Sequence, residues 1–212
     1  MEDARTWDFD DYDWIDQYDE RMRRVERLHY EETLLRLPEL AEAQAADYVL
    51  DIGIGTGNSA APFLERGCRV VGVDPSERML KQAEARAARW AGRLSVRRVA
   101  EPFLQLPFDE ATFEVVVSAY AIHHLDDEAK RRAVREMKRV LKPGGRVVIA
   151  DTMFRDEAHK ALALAEHADL EDEYQPLLTT FPGMFAAEGF GVELHQVGNL
   201  VWVLVARHRR PV

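Results

Sequence analysis

The chain has 212 residues, 47% hydrophobic and 31% charged, an ordinary globular composition with enough apolar residues for a core that folds unaided. Its formal net charge of −10 disfavours nucleic acid as a partner, because a polyanion would be repelled at long range. One cysteine excludes an intrachain disulfide. With neither a basic, apolar leader nor a stretch of the roughly 20 apolar residues that a membrane helix needs, the sequence predicts a cytoplasmic protein without a membrane contact.

The first 40 residues predict a cap segment ahead of the first strand. Residues 1–20 are dense in acidic and aromatic side chains, and a helix is expected from Glu20 to Leu37, ending at Pro38. Because no linker, repeat or low-complexity tract follows, we predict a single domain over residues 1–212.

Short apolar runs alternate with helical segments along the next hundred residues. The predicted strands cover 48–52, 69–73, 94–99, 113–118 and 146–150. The predicted helices cover about 58–66, 76–90 and 127–141. This alternation indicates right-handed βαβ units and a doubly wound, mostly parallel sheet.

The pattern changes after the fifth strand. Residues 155–187 are predicted to be a helical insertion, with a break around 179–182. Two β-rich runs, 192–197 and 200–206, then flank Gly198-Asn199, which is a two-residue hairpin signal. We therefore expect the sheet to end in an antiparallel hairpin.

Three glycines follow the first predicted strand in Val49-Leu-Asp-Ile-Gly-Ile-Gly-Thr-Gly57, where the strand turns into a helix. Glycine there permits unusual φ values and lets backbone approach a ligand closely. Asp74 ends the next strand, 21 residues after Gly53, and its carboxylate could accept hydrogen bonds from both hydroxyls of a ribose. Together these features predict a nucleoside site, although singly the loop could be a tight turn and Asp74 a helix cap.

The spacing of the glycines separates two classes of nucleoside cofactor. The dinucleotide fingerprint would place its third glycine where Asn58 stands, whereas here the third glycine is Gly57. Asp51 precedes the loop, where its carboxylate would repel a pyrophosphate but would suit the amino group of a methionine moiety. Both features favour S-adenosylmethionine, and a nicotinamide-dependent oxidoreductase is the less favoured alternative.

Five motifs, in order, resemble the class I S-adenosylmethionine-dependent methyltransferases over about Trp14 to Arg207. The motifs are Val49-Leu-Asp-Ile-Gly-Ile-Gly-Thr-Gly-Asn58, Gly72-Val-Asp-Pro-Ser-Glu-Arg-Met-Leu80, Leu106-Pro-Phe-Asp109, Val117-Ser-Ala-Tyr-Ala-Ile-His-His-Leu125 and Val140-Leu-Lys-Pro-Gly-Gly-Arg146. The resemblance implies a Rossmann-like, seven-stranded sheet in the order 3-2-1-4-5-7-6 with an antiparallel seventh strand. It also implies methyl transfer to an unidentified small-molecule acceptor. A non-catalytic S-adenosylmethionine-binding regulatory domain would carry the same motifs and is the alternative.

Eight positions would contact the cofactor if the family's arrangement applies. They are Asp51, Gly53 and Gly55 around the methionine part, Asp74 at the ribose, Pro75 and the Phe103 N–H at the adenine, and Ser118 and Ala119 beside the sulfonium. The chain departs from the family at Pro102, where an aspartate usually accepts a hydrogen bond from the adenine amino group. Glu101 or water would then serve that group.

Four side chains are candidates for the acceptor side of the site. They are Tyr18 in the cap segment, Tyr120 and His123 after the fourth strand, and Asp151 at the end of the fifth. Each also has a structural interpretation, as a packing aromatic or as a group that hydrogen-bonds within the fold. The helical insertion would shape the pocket in this family, and its acidic residues with His159 and His167 are interpreted as a solvated helix rather than a metal site.

Neither a catalytic residue nor a metal is assigned from the sequence. A sulfonium methyl group is already activated, so a base is needed only where the acceptor is protonated. The sequence carries no signal for an oligomeric state.

Overall fold

A computed structural model of the protein describes residues 17–90, 92–167, 170 and 173–208. Its seven strands are Tyr48–Ile52 (β1), Arg69–Asp74 (β2), Leu94–Arg98 (β3), Phe113–Ala119 (β4), Leu141–Thr152 (β5), Phe190–Gln196 (β6) and Val201–His208 (β7). Its α-helices are Tyr18–Arg24 (α1), Tyr30–Leu40 (α2), Ala61–Glu65 (α3), Glu77–Ala87 (α4), Asp127–Val140 (α5), Glu157–Glu166 (α6) and Phe181–Ala187 (α7). In this part of the chain, helices of the length and apolarity that a membrane crossing requires are absent.

The strands form one sheet in the order β3-β2-β1-β4-β5-β7-β6, which confirms the expected topology. Strands β1 to β5 pair in parallel, and β7 is antiparallel to both β5 and β6. The order reverses at β1, which lies between β2 and β4. In such sheets the crevice outside the carboxyl ends of the strands at that point is where ligands bind.

Both faces of the sheet are covered by apolar layers, which explains the continuous apolar runs of the strands. On β1, Val49 packs into one buried cluster with α2 and α3, while its neighbour Leu50 packs into the other with α5 and α7. The parallel strands are therefore fixed on both sides, and their carboxyl ends form a rigid edge.

The helix expected from Glu20 to Leu37 is wrong in its extent. The backbone is extended at Val25 and left-handed at His29 (φ 45°), so the segment is split into α1 and α2 around a short 3-10 turn at Glu26–Leu28. Pro38 lies inside α2 rather than beyond its end. Because proline has no N–H, the helix lacks one backbone hydrogen bond there, the one that would reach the carbonyl of Leu34.

The C-terminal hairpin is confirmed, but its turn is longer than the two residues expected. The N–H groups of Val197 and Gly198 both donate to the Val201 carbonyl, at 3.0 and 3.2 Å, and residues 197–200 lie between the strands. The fifth strand is also longer than expected, because it begins at Leu141 and contains a bulge before Arg146.

The insertion at residues 155–187 contains two separate helices, α6 and α7. The break between them is wider than expected, and Leu177 within it forms a parallel bridge with Phe154, which precedes α6. Three of the acidic residues noted in the sequence, Asp169, Glu171 and Asp172, lie outside the described residues.

Candidate functional site

The backbone of the glycine loop after β1 favours glycine at all three positions, because Gly53, Gly55 and Gly57 have φ values of +72°, +54° and +88°. A side chain at these positions would meet different surroundings. A Cβ at Gly53 would lie 2.7 Å from the Ala121 Cβ, so that glycine permits close packing against the segment after β4. A Cβ at Gly55 would meet no atom of the described residues within 4 Å, so with respect to them Gly55 faces open space at the carboxyl edge of the sheet.

A close contact between Ile54 of the loop and Gly72 of β2 also fixes the position of the loop. A Cβ at Gly72, in the middle of β2, would lie 2.1 Å from the Cδ1 of Ile54. The loop residue Ile54 is itself buried, so its side chain fills the space that a side chain at position 72 would need. The absence of a side chain from β2 thus lets the loop lie directly on the sheet.

Asp74, at the end of β2, holds the same loop by hydrogen bonds. One carboxylate oxygen accepts from the Gly55 N–H at 2.9 Å, and the other accepts from the Ser76 N–H at 2.9 Å. Ser76 in turn caps α4 by accepting a hydrogen bond from the Met79 N–H at 3.1 Å. Asp74 therefore fixes the shape of the loop where the sequence predicts a ribose contact.

Asp51 is fully buried at the end of β1, one residue before Ile52 and the loop. Its Oδ2 accepts a hydrogen bond from the Ser59 hydroxyl at 2.6 Å, whereas its Oδ1 has no hydrogen-bond partner among the described residues. Burial, opposed by the Ser59 hydrogen bond and helped by the Asp74 charge, raises the pKa of Asp51 to about 7. A buried carboxylate oxygen without a partner is suited to a ligand group that is positively charged or donates a hydrogen bond.

The adenine-side residues lie in a turn after β3. The N–H groups of Leu104 and Gln105 both donate to the Glu101 carbonyl at 3.0 Å, and the side chain of Phe103 is buried. The Glu101 carboxylate is exposed and accepts a hydrogen bond from the Gln105 side chain at 2.5 Å. The Glu101 carboxylate is therefore hydrogen-bonded within its own turn, and its contact with the adenine amino group stays a prediction. On the same side, the Pro75 carbonyl accepts from Arg98 at 3.0 Å.

Ser118 and Ala119 end β4 next to the glycine loop, paired in register with Ile149 and Ala150 of β5. Ser118 is completely buried, and its hydroxyl oxygen has no hydrogen-bond partner within the described ranges. The chain thus leaves two buried polar atoms without partners at neighbouring strand ends, on Ser118 and on Asp51. Such groups are costly unless a ligand or water satisfies them.

His123 and Asp151 form a buried pair at the carboxyl ends of β4 and β5. The imidazole Nδ1 lies 2.8 Å from Asp151 Oδ1, and the His123 N–H donates to Asp151 Oδ2 at 3.3 Å. The Nε2 atom faces Glu173 at 3.7 Å. Burial opposes the charged imidazolium, but the Asp151 and Glu173 carboxylates outweigh it and raise the pKa of His123 to about 9. The neighbouring His124 is kept neutral, because burial and the His123 charge lower its pKa to about 2.

The two tyrosine candidates differ in what their hydroxyl groups do. Tyr120 has a positive φ of 52°, its ring lies 5.4 Å from that of Tyr30, and its hydroxyl donates to the Leu28 carbonyl. That arrangement favours the packing interpretation of Tyr120, which joins the cap segment to the edge of the sheet. Water is largely excluded from the Tyr18 hydroxyl, which raises its pKa well above the usual value, and the charges of Tyr30, Asp74 and Asp151 raise it further.

The sequence did not single out Lys130, which is 1% exposed on α5. Its ammonium donates to the carbonyls of Leu125 and, at 2.6 Å, Tyr174, while the Tyr174 N–H donates to the His123 carbonyl at 2.8 Å. Burial, partly offset by Asp127 and other carboxylates, lowers the pKa of Lys130 to about 8. Lys130 lies three residues before Ala133, on the apolar face of α5. This helical spacing could have indicated from the sequence that the lysine is buried.

Comparison with known proteins connects this geometry to a family. Residues 49–145, from β1 into β5, match the family model described as a methyltransferase domain. An uncharacterized methyltransferase of Bacillus pumilus is 36% identical over 211 residues, which is 92% of this chain and 94% of that protein. The chain belongs to the class I S-adenosylmethionine-dependent methyltransferases.

Solved structures share the fold of this methyltransferase at lower sequence identity. A SAM-dependent methyltransferase from Aquifex aeolicus is 20% identical, with a TM-score of 0.67 over 92% of this chain and 96% of that one. The YcgJ protein of Bacillus subtilis is also 20% identical, with a TM-score of 0.73 over 86% and 100% of the two chains. At this identity the likeness shows the fold alone.

The site of the methyltransferase fits its cofactor, S-adenosylmethionine. The orphaned Asp51 oxygen suits the methionine ammonium, the open space at Gly55 leaves room for the ligand, and the Asp74 carboxylate lies at the adjacent strand end. The fit therefore rests on the chain's own polar groups and open space as well as on the motif.

Proposed function

We propose that the methyltransferase acts on a small-molecule acceptor, which binds at the carboxyl ends of β4 and β5. The observation that carries this proposal is the buried His123–Asp151 pair, bordered by Glu173 and supported by Lys130. A buried, closely bordered polar pair suits a ligand that can be enclosed. The net charge of −10 argues against a nucleic acid in the same place.

On this proposal, the eight expected contacts hold the cofactor, which supplies an activated methyl group. Its methionine part would lie against Asp51, Gly53 and Gly55, and its ribose against Asp74. Its adenine would lie between Pro75 and Phe103, and its sulfonium next to Ser118 and Ala119. In this arrangement the buried Asp51 oxygen gains a hydrogen bond from the methionine ammonium, and the buried Ser118 oxygen gains an electrostatic contact with the positively charged sulfonium, which supports it.

On the acceptor side, we assign orientation of the acceptor to His123. Asp151 accepts from Nδ1, which fixes the ring so that Nε2 is the edge presented toward Glu173, where the acceptor would bind. The two carboxylates keep the ring mainly protonated near neutral pH, so Nε2 would donate a hydrogen bond to the acceptor. Tyr18 would close the pocket from the cap segment, and Tyr120 would contribute shape rather than its hydroxyl.

The rest of the chain is proposed to serve this one site within a single domain, residues 1–212. The cap segment, residues 1–40, would cover the cofactor side. The insertion, residues 155–187, would wall the acceptor side, since Tyr174 is hydrogen-bonded to His123 and Lys130.

The test uses S-adenosylmethionine labelled in its methyl group and a bacterial extract separated by size. Label entering the small-molecule fraction supports the proposal, and mass spectrometry then identifies the product. Label entering only protein or nucleic acid contradicts a small acceptor. Calorimetric titration with S-adenosylhomocysteine and NAD distinguishes a methyltransferase from a regulatory domain and from an oxidoreductase. A regulatory domain would bind S-adenosylhomocysteine without transferring label, and an oxidoreductase would bind NAD.

The same assay on the His123→Asn variant tests the role assigned to His123. The substitution is expected to lower transfer while leaving the affinity for S-adenosylhomocysteine within about twofold of the parent, because His123 is assigned to the acceptor and not to the cofactor. A parent-like transfer rate would remove His123 from the acceptor side.

A further inference from the structure

One carboxylate of helix α1 is bonded to two residues of the cofactor loop. The Oδ1 atom of Asp19 accepts hydrogen bonds from the Thr56 hydroxyl at 2.6 Å and from the Asn58 side-chain amide at 2.8 Å. Its Oδ2 atom accepts from the guanidinium of Arg86, on α4. Thr56 is 37 residues and Arg86 is 67 residues away along the chain, so the contacts fix tertiary structure rather than the helix itself.

The same guanidinium completes the network from the other side. The Nη1 atom of Arg86 donates to the Thr56 carbonyl at 2.8 Å and to the Asn58 side-chain oxygen at 2.7 Å. Both loop residues therefore bind the carboxylate and the guanidinium at once. Charge-assisted hydrogen bonds of this kind are about twice as strong as neutral ones.

The burial of Asp19 distinguishes it from its neighbour Glu20. The Asp19 side chain is 15% exposed, whereas Glu20 and its partner Arg24 on the same helix are 61% and 76% exposed. An exposed pair within one helix contributes little, because water screens the charges and two long side chains must be ordered. The shielded carboxylate of Asp19 is thus the stronger anchor of α1.

Helix α1 depends on such an anchor. It has seven residues, its N-cap residue Gln17 makes no side-chain capping bond, and none of its side chains is in the buried core. A helix of this length is unstable by itself, so its position is set by tertiary contacts. Its first residue is Tyr18, whose hydroxyl is near enough to Asp74 and Asp151 for their charges to raise its pKa.

We propose that Asp19 is a positioning residue that fixes the cap to the cofactor loop and sets Tyr18 over the site before the cofactor binds. The inference rests on the proposed cofactor contacts of the loop, and it adds which part of the cofactor depends on Asp19. Fixing α1 also fixes Thr56 and Asn58, which follow Gly55 at the methionine end of the site. Loss of the anchor therefore weakens binding of the methionine part and not of the adenosine part.

The test compares Asp19→Asn with Glu20→Gln, its matched control on the same helix. In the ligand-free protein, amide hydrogen exchange over residues 18–24 should be about tenfold faster in Asp19→Asn and parent-like in Glu20→Gln. By calorimetry, Asp19→Asn should weaken S-adenosylhomocysteine binding about tenfold. It should leave adenosine binding within about twofold of the parent. Arg86→Lys, which keeps the charge but loses the paired donors, should behave in the same direction if Asp19→Asn is too unstable to purify.

Each contrary result overturns the inference. Parent-like exchange in α1 shows that Asp19 does not anchor the helix, whatever the ligand affinities. Faster exchange with unchanged S-adenosylhomocysteine affinity, or with equal losses for both ligands, reduces Asp19 to a purely structural group. If the parent protein fails to bind S-adenosylhomocysteine at all, the proposed cofactor contacts fail, while the exchange measurement still decides whether Asp19 holds the cap.

Discussion

The two carboxylate oxygens of Asp51 differ in their hydrogen bonding, because only one of them is bonded to Ser59. Its Oδ2 atom is hydrogen-bonded to Ser59 at 2.6 Å, while its Oδ1 atom is buried and has no partner within the described part of the chain. With its pKa raised to about 7, the group is half protonated near neutral pH. A buried carboxyl in this state responds strongly to any cation placed beside it.

Cofactor affinity should therefore depend on pH through Asp51. If the ionised form pairs with the methionine ammonium, lowering the pH from about 8 to about 6 should weaken S-adenosylhomocysteine binding about tenfold, because the carboxyl is protonated on the way. Asp51→Asn should bind more weakly at about pH 8 and lose this pH dependence. Calorimetric titrations across the range measure both effects, and an identical slope in parent and variant would place the ammonium elsewhere.

The open space at Gly55 allows a test of the loop that leaves the fold intact. Within the described part of the chain, an added methyl group has no neighbour within 4 Å at either Gly55 or Gly92. Both glycines have positive φ, so Ala at either position carries similar backbone strain. Each Ala variant should lose roughly 1 kcal/mol of stability. Binding of S-adenosylhomocysteine should fall at least about tenfold in Gly55→Ala and stay parent-like in Gly92→Ala.

Gly53 is unsuited to the same experiment. Its added Cβ would collide with Ala121 at 2.7 Å, so a larger residue there would disturb packing as well as the ligand. Equal affinities of the Gly55→Ala and Gly92→Ala proteins would mean that the loop is a turn without a ligand contact.

Asp74→Ala should weaken S-adenosylhomocysteine binding by about 10- to 100-fold, because hydrogen bonds to a charged group are lost. Asp74 also accepts from the Gly55 N–H, so part of the loss would come from a displaced loop. The ribose contribution is isolated with an analogue that lacks the 2′-hydroxyl. The substitution should cost less affinity for the analogue than for S-adenosylhomocysteine, and equal costs would assign Asp74 to the loop alone.

The His123–Asp151 pair should make folding stability depend on pH. A histidine whose pKa rises to about 9 on folding contributes stability that is complete below its unfolded pKa of 6.5 and is lost as the pH rises through about 9. Lys130, with its pKa lowered to about 8, has the opposite slope above that pH. The difference between the parent and His123→Asn removes the lysine contribution from the comparison.

Between about pH 6 and about pH 10, this difference in unfolding free energy should change by roughly 2–3 kcal/mol, the parent losing stability relative to the variant. Denaturant unfolding at each pH measures it. An NMR titration of the His123 ring should give the raised pKa directly. A ring that titrates near its ordinary value would show that Asp151 and Glu173 do not hold the proton.

Most of the strands could be predicted from the sequence because they are local apolar runs, whereas the order of the strands was implied by the family resemblance. The glycine loop could be predicted too, because φ is dictated there by residue type. The split between α1 and α2 could not be predicted from the local sequence. His29, whose left-handed backbone precedes α2, packs against the distant Gly198, where an added Cβ would lie 2.2 Å from the His29 ring. The Asp19 contacts are invisible for the same reason, since they join segments far apart in the chain.

The close approach of Ile54 to Gly72 links two positions that the sequence separates by a helix and half a strand. Neither can change freely, because a side chain at position 72 would occupy the volume that the Ile54 side chain now fills. Relatives with alanine or serine at position 72 should therefore carry a smaller residue at position 54. These two positions should covary across the family even though neither is assigned a contact with cofactor or acceptor.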